Sequence, residues 1–180
     1  DAIVKNLFKG VPQRSAMLAP GELGYDPTLK LYSYYPALAK KLLTEAGYPH
    51  GFKMPLYYYA PVYGVRETAE AVVLYLRAIG IDAKAEGFDG PKIIQMIRKA
   101  HTDPRSADFV LLNGAPLANL DTPLTSLALA FSSHSGESIY INLAFDKVVD
   151  AAITTPDDTK RAILIKKAYR AIYNDVGIIS

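Results

Sequence analysis

Met54-Pro55-Leu56-Tyr57-Tyr58-Tyr59-Ala60, then Val65, Ala69, Val72, Val73, Leu76 and Ile79, then Ile81-Asp82-Ala83-Lys84-Ala85-Glu86-Gly87, is the stretch that decides the fold. The first run is apolar and aromatic, the composition of a strand. The apolar positions that follow recur at the spacing of one helix face, and Gly80 ends that helix. In the next run Ile81, Ala83 and Ala85 alternate with Asp82, Lys84 and Glu86, the two-residue period of a half-buried strand. Pro91 then starts another helix, carrying Ile93, Ile94, Met96 and Ile97. Within 108–113, Phe109-Val110-Leu111-Leu112 is an unbroken apolar run, as expected of a central strand covered on both faces. Strand, helix, strand, helix, strand predicts an α/β fold. It implies a mainly parallel sheet with right-handed crossovers and helices on both faces.

Upstream, residues 1–8 read as the tail of a helix ended by Gly10, and 11–30 as an irregular connection punctuated by Pro12, Pro20, Gly21, Gly24 and Pro27. Pro36 suits a first helical turn. Leu38, Leu42, Leu43 and Ala46 then mark one apolar face, and Gly47 stops the helix. Downstream, 122–131 is expected to be helical at least in part. A loop at Ser132-Ser133-His134-Ser135-Gly136 and a short extended piece at 138–141 follow. Two helices come next, one with Phe145, Val148, Val149 and Ala152, the other running from Pro156-Asp157-Asp158 to about Tyr173. Val176-Gly177-Ile178-Ile179-Ser180 has the character of a further strand. There is no internal repeat.

The 180 residues suit about one domain, and with half of them hydrophobic a sizeable core is available. The net charge of +2 points to no polyanionic partner, and nucleic acid is not expected. No apolar run approaches the roughly 18 residues of a membrane span. Cys is absent, which excludes disulfides and thiol chemistry and fits an oxidising compartment. With 13 Tyr and no Trp, aromatic contacts to a ligand would come mostly from phenols.

Catalytic signatures are missing. The three histidines, His50, His101 and His134, have no zinc-ligand spacing and read as surface-loop residues; no metal or other cofactor is expected. The serines before His134 lack the Gly-x-Ser-x-Gly elbow and read as turn residues. No glycine-rich phosphate cradle occurs, and Lys40-Lys41 and Lys166-Lys167 read as solvated helix faces. In the Tyr57-Tyr58-Tyr59 run, Tyr57 and Tyr59 share one face of the strand and Tyr58 takes the other. One reading makes them packing groups under helices. The other puts Tyr59, with Tyr63 just beyond it, at the carboxyl end of a parallel strand, where open α/β sheets bind ligands. By the same rule Phe88-Asp89-Gly90 and Asn113-Gly114-Ala115-Pro116 line that edge. The candidate ligand-facing residues are therefore Tyr59, Tyr63, Asp89, Asn113, Ala115 and Leu117.

An ordered series of motifs carries a resemblance. It begins with Asp1-Ala2-Ile3-Val4 and Gly10, and its most specific part is Gly24-Tyr25-Asp26-Pro27, Ala39-Lys40-Lys41-Leu42-Leu43 and Glu45-Ala46-Gly47-Tyr48-Pro49. Leu76 with Ile79-Gly80-Ile81 continues it, and Asn142, Phe145-Asp146, Asp150, Thr155, Asp157 and Arg161 complete it. The chain resembles the C-terminal lobe of the family 5 extracellular solute-binding proteins, the peptide and nickel type. The resemblance implies a type II periplasmic-binding-protein-like lobe. Residues 1–30 would lead in from an N-terminal lobe that is missing here, and 31–180 would form the C-terminal ligand-binding lobe, cut short at its end. It implies a non-enzymatic component of an ABC importer, periplasmic or extracellular, free or lipid-anchored. Such a component captures a peptide, oligosaccharide or similar polar solute by closure of two lobes and delivers it to a membrane permease. A ligand-sensing module of a regulator or receptor is the alternative. An enzyme would need a converging nucleophile and base, and no such set is recognisable.

The departures bear on the ligand. Peptide-binding members of the family commonly carry a Trp-x-x-Asp-Tyr-type segment, whose acid pairs with the peptide ammonium. Alignment on Gly114 and Asp121 puts Asn113 at the Trp position and Pro116 at the Asp position, and Gly90 stands where a second Trp is common. An ammonium buried without its acid is costly, so weak peptide binding is expected.

Overall fold

Among the described residues β1 (Lys53–Tyr59) is the middle strand of a parallel, three-stranded sheet of order β2-β1-β3. β2 spans Asp82–Phe88 and β3 spans Val110–Leu112. The computed structural model describes residues 2–7, 9, 16–112 and 122–175. The β1/β2 register runs from Lys53 opposite Asp82 to Tyr59 opposite Phe88, and β1/β3 pairs Leu56, Tyr57 and Tyr58 with Val110, Leu111 and Leu112. The fold is thus α/β with a parallel sheet, as the alternation of elements predicts. The order of strands is a different matter. The apolar run at 109–112 was expected to be central, yet among the described residues β3 lies at the sheet edge, with Val110 46% exposed. Unbroken hydrophobicity does not distinguish a central strand from a short apolar edge.

The helices are α1 (Ala2–Asn6), α2 (Pro36–Glu45), α3 (Val65–Ala78), α4 (Gly90–Thr102), α5 (Pro123–Ala130), α6 (Leu143–Thr154) and α7 (Asp158–Asn174). They fall into two compact units, the division passing through α4 after Ile93. The first unit holds the sheet with α1, α2 and α3. Its core is Leu56, Ala69, Val73, Ile81 and Ala83, so α3 covers the face of β1 and β2 that carries the even-numbered β1 residues. Two helix-to-strand turns close on one another here. Gly51 (φ +71°) and Gly80 (φ +100°) approach backbone to backbone, and a side chain at Gly51 would overlap the carbonyl of Gly80. On the other face of β1, Tyr57 packs against Phe88 and Phe109, with ring centroids 5.2 and 5.1 Å away.

α2 departs from its sequence reading. Pro36 begins it and Gly47 (φ +88°) follows its end, as expected. Its apolar face is largely bare: Leu38 and Leu42 are exposed, and only Leu43 packs against the sheet core.

The second unit contains α5, α6, α7, the rest of α4 and the turns from residue 16 to Tyr32. Leu127, Phe131, Phe145, Val149, Ala152, Ile165, Ala168, Tyr169 and Ile172 form its core, with Leu18 packed in. Caps set the helix starts. Thr122 accepts from the amide of Thr125, Asn142 from those of Ala144 and Phe145, and Asp157 from that of Lys160. The extended piece expected at 138–141 joins no strand among the described residues. Phe8, Gly10 and the strand expected at 176–180 lie outside the described residues.

Candidate functional site

The carboxyl edge of the sheet is built by the ends of β1 and β2. The amide of Ala60 donates to the carbonyl of Phe88 at 2.9 Å, carrying the ladder one residue past Tyr59. The chain then turns through Pro61, Val62 and Tyr63 to Gly64 (φ +76°), which precedes α3; the Thr68 hydroxyl donates back to the Gly64 carbonyl at 2.7 Å. After β2, Asp89 stands before α4, and its Oδ1 accepts from the amide of Lys92 at 2.9 Å. Gly90 faces Tyr59: a side chain there would begin 3.4 Å from the Tyr59 ring. The missing Cβ leaves room for the phenol end of Tyr59 at the start of α4, next in sequence to Asp89.

Of the six sequence-predicted residues, Tyr59 ends β1 opposite Phe88 and Asp89 follows Phe88 at the end of β2. Tyr63 sits on the same β1–α3 turn and is 94% exposed, with no partner on its ring among the described contacts. Asn113, Ala115 and Leu117 lie outside the described residues, as does Pro116. The two readings of the tyrosine run divide by residue. Tyr58 packs into the β1–β2–α3 core and Tyr57 into the aromatic cluster on the opposite face. Burial, then the charges of Asp108 and Glu86, push the Tyr57 phenol above its ordinary range.

The polar clusters of the second unit are structural in their bonding. Asp146 is buried in the first turn of α6. Burial raises its carboxyl, but bonds from the hydroxyl and amide of Ser133 and the hydroxyl of Ser132, with the charge of His134, outweigh that and lower it. The serines that precede His134 thus serve a buried carboxylate. His134 itself stands with Nε2 3.4 Å from Asp150 Oδ2. His101 corrects the sequence reading. It lies in α4, not in a loop, and is half-buried with Nδ1 2.7 Å from the Ser138 carbonyl. Among the described residues no three His, Cys, Asp or Glu converge as metal ligands.

One cluster had no local signal. Asp26, in the Gly24-Tyr25-Asp26-Pro27 motif, is buried against α7 and bonded to Arg170, Lys166 and Thr28. The cations stand four residues apart on α7, a spacing that reads equally well as a solvated face. Beside this cluster, Gly21, Glu22, Leu23, Gly24 and Tyr25 form one wall of an open groove of about 470 Å³, and Thr159, Ala162, Ile163 and Lys166 form the other.

The described residues thus form an α/β sheet whose carboxyl edge carries an aromatic ring and an acid. Comparison with known proteins agrees. The profile of the bacterial extracellular solute-binding proteins, family 5 (middle region), matches residues 1–138, and the chain belongs to that family. The glutathione-binding protein GsiB of Salmonella typhi is 28% identical over 97% of this chain and 35% of its own length. The chain thus spans about a third of the length of the curated relatives it matches. Among solved structures, the dipeptide-binding protein of Pseudoalteromonas sp. SM9913 in complex with Met-Leu superposes with a TM-score of 0.80 at 25% identity, over 98% of this chain and 36% of that one. The binding protein MoaA from A.tumefacien R10, in complex with mannopinic acid, gives 0.73 at 26% identity, again over 98% and 36%. The fold is that of the type II periplasmic binding proteins. Among the described residues no helix is long and apolar enough to cross a membrane.

Proposed function

We propose that this chain is the C-terminal lobe of the solute-capturing component of an ABC importer. It acts outside the cytoplasm and without covalent chemistry. In this reading the chain enters through residues 1–30 from an N-terminal lobe, and the two lobes close over the ligand before delivery to a permease. The observation that carries it is the family profile over residues 1–138.

The ligand is a small polar solute with amino-acid character. Relatives that bind glutathione, Met-Leu and mannopinic acid support that class. The edge fits it too. The Tyr59 phenol offers a flat apolar surface with a polar tip, and Asp89 places a carboxylate just past the end of the neighbouring strand β2. Asn113, Ala115 and Leu117 complete the same edge in this reading. Pro116 supplies no charge to a peptide ammonium, so unmodified dipeptides bind more weakly than other members of the class.

Calorimetric titration of the full-length receptor with dipeptides, glutathione, mannopinic acid and neutral oligosaccharides tests the reading. Tight binding of an amino-acid-bearing solute other than an unmodified dipeptide, weakened about tenfold by Tyr59→Ala, is the expected result. Tight binding of dipeptides would overturn the ligand preference. Binding of none of the four classes would overturn the function.

A further inference from the structure

From Gly24 to Tyr32 the chain runs along α7 and is fastened to it at three levels. At the first, Gly24 (φ +89°) sits flush on the helix: a side chain there would overlap Ile165 and come within 3.1 Å of the Lys166 amide nitrogen. At the second, the Asp26 carboxylate, 6% exposed as a residue, is surrounded. Its Oδ2 accepts from Arg170 Nε at 3.1 Å and from Nη2 of the same guanidinium. Its Oδ1 accepts from the Thr28 amide at 3.0 Å and the Thr28 hydroxyl at 2.7 Å, and lies 3.3 Å from Lys166 Nζ. Arg170 Nη2 also donates to Thr28 Oγ1 at 2.6 Å, closing a ring of contacts. At the third, the rings of Tyr32 and Tyr173 stack 4.9 Å apart and 10° from parallel. Each hydroxyl donates to the other's segment, Tyr32 to the Tyr173 carbonyl and Tyr173 to the Lys30 carbonyl, both at 2.7 Å. Lys166, Arg170 and Tyr173 follow at four- and three-residue steps, so one face of α7 is given over to this segment.

We propose that Gly24–Tyr32 is a strap locked to α7 by Asp26, rigid with the second unit and still docked in mild acid, rather than a flexible connector. A connector that flexes would expose its polar side chains to water. Here a carboxylate is taken out of water, and among the described residues its partners Arg170, Lys166 and Thr28 come from α7 and the strap itself. The charged groups facing it among the described residues are the cations of Arg170 and Lys166. Burial alone would raise the Asp26 carboxyl, but the bonds from Arg170, Thr28 and Lys166 reverse that and hold it well below the usual carboxylate range. A carboxyl depressed on folding stabilises the folded state above its unfolded value of about 3.9. That contribution is lost only as pH falls through the lower, folded value. The lock therefore survives at about pH 4.5, where exposed ion pairs are weakened by the onset of protonation. On the solute-binding reading, the consequence is that lobe closure draws its backbone motion from outside residues 24–32.

Residue-resolved amide exchange on the chain, at about pH 7 and about pH 4.5 and corrected for intrinsic rates, decides it. The amides of Thr28 and Leu29 donate to Asp26 within the strap, and that of Tyr25 to the Glu22 carbonyl just before it, so the three report on it. They are expected to be protected at both pH values, within about tenfold of the α7 amides. Asp26→Asn is expected to speed their exchange about tenfold or more while the β1 and α3 amides stay protected. Strap amides that exchange near the unprotected rate in the unmodified chain, or that ignore Asp26→Asn, would overturn the lock. If Asp26→Asn abolishes folding, Tyr32→Leu removes the stack at the far end. Faster strap exchange in that variant supports the strap, and unchanged exchange overturns it.

Discussion

Tyr58 stands opposite Gly87 in the parallel register of β1 and β2, and its ring fills the space a side chain at Gly87 would need, 2.6 Å from the Cβ position. The middle tyrosine of the run can lie down on the sheet because its neighbour has no side chain. Gly87→Ala forces the phenol off that surface and is expected to destabilise the chain by about 1–3 kcal/mol, the usual cost of overpacking. Tyr58→Ala removes the obstruction as well as the packing. The double variant should then lose less than the sum of the two singles in urea unfolding. Strictly additive losses would remove the contact from the account.

That pairing also shows what could be read from residues and what could not. β1 was legible from its aromatic composition, α3 and β2 because each obeys one period, and Gly80 marks the turn between helix and strand. The carboxyl-end rule then pointed to Tyr59 and Asp89 as candidates without any motif. Among the described residues β3 lies at the edge and not in the centre, since Phe109 to Leu112 is apolar at every position and period carries no information there. The Asp26 lock was invisible for another reason. Arg170 lies 144 positions away, and a long-range pair between one acid and one base leaves no local trace.

α2 makes a second prediction from its two adjacent leucines. Leu42 is 53% exposed, whereas Leu43 packs against the core of Leu56, Ala69 and Val73. Leu42→Ser is expected to change the stability of the chain by about 0.5 kcal/mol or less, as surface changes do. Leu43→Ala is expected to cost about 2 kcal/mol, near the low end for a leucine truncated in a core, because this side chain is only half-buried. Denaturant midpoints of the two variants measure both. Equal losses would mean that the face of α2 carrying Leu42 is covered in solution.

The phenols of the second unit make a prediction at the alkaline end. Tyr169 is buried in the core, and its hydroxyl donates to the Pro123 carbonyl at 3.1 Å. Burial first, and then the charge of Glu22, push it up to about 12, against a small opposing effect of the Ser126 hydroxyl. Tyr140 is also pushed up to about 12, by burial and by its bond to the Asp175 carboxylate. A group whose value is raised on folding stabilises the folded state fully below its unfolded value, 10.0 for these phenols. That contribution is lost as pH rises toward the folded value. Stability should therefore fall between about pH 10 and about pH 12, the window the two phenols define. Tyr169→Phe should lose about 0.5–1.5 kcal/mol at neutral pH, for the missing bond to Pro123. Its alkaline decline should be shallower, because one titrating phenol has gone. Urea midpoints measured across that range for the two chains test the sign directly. A Phe variant that declines as steeply as the unmodified chain would show that Tyr169 is not the group that opens the core.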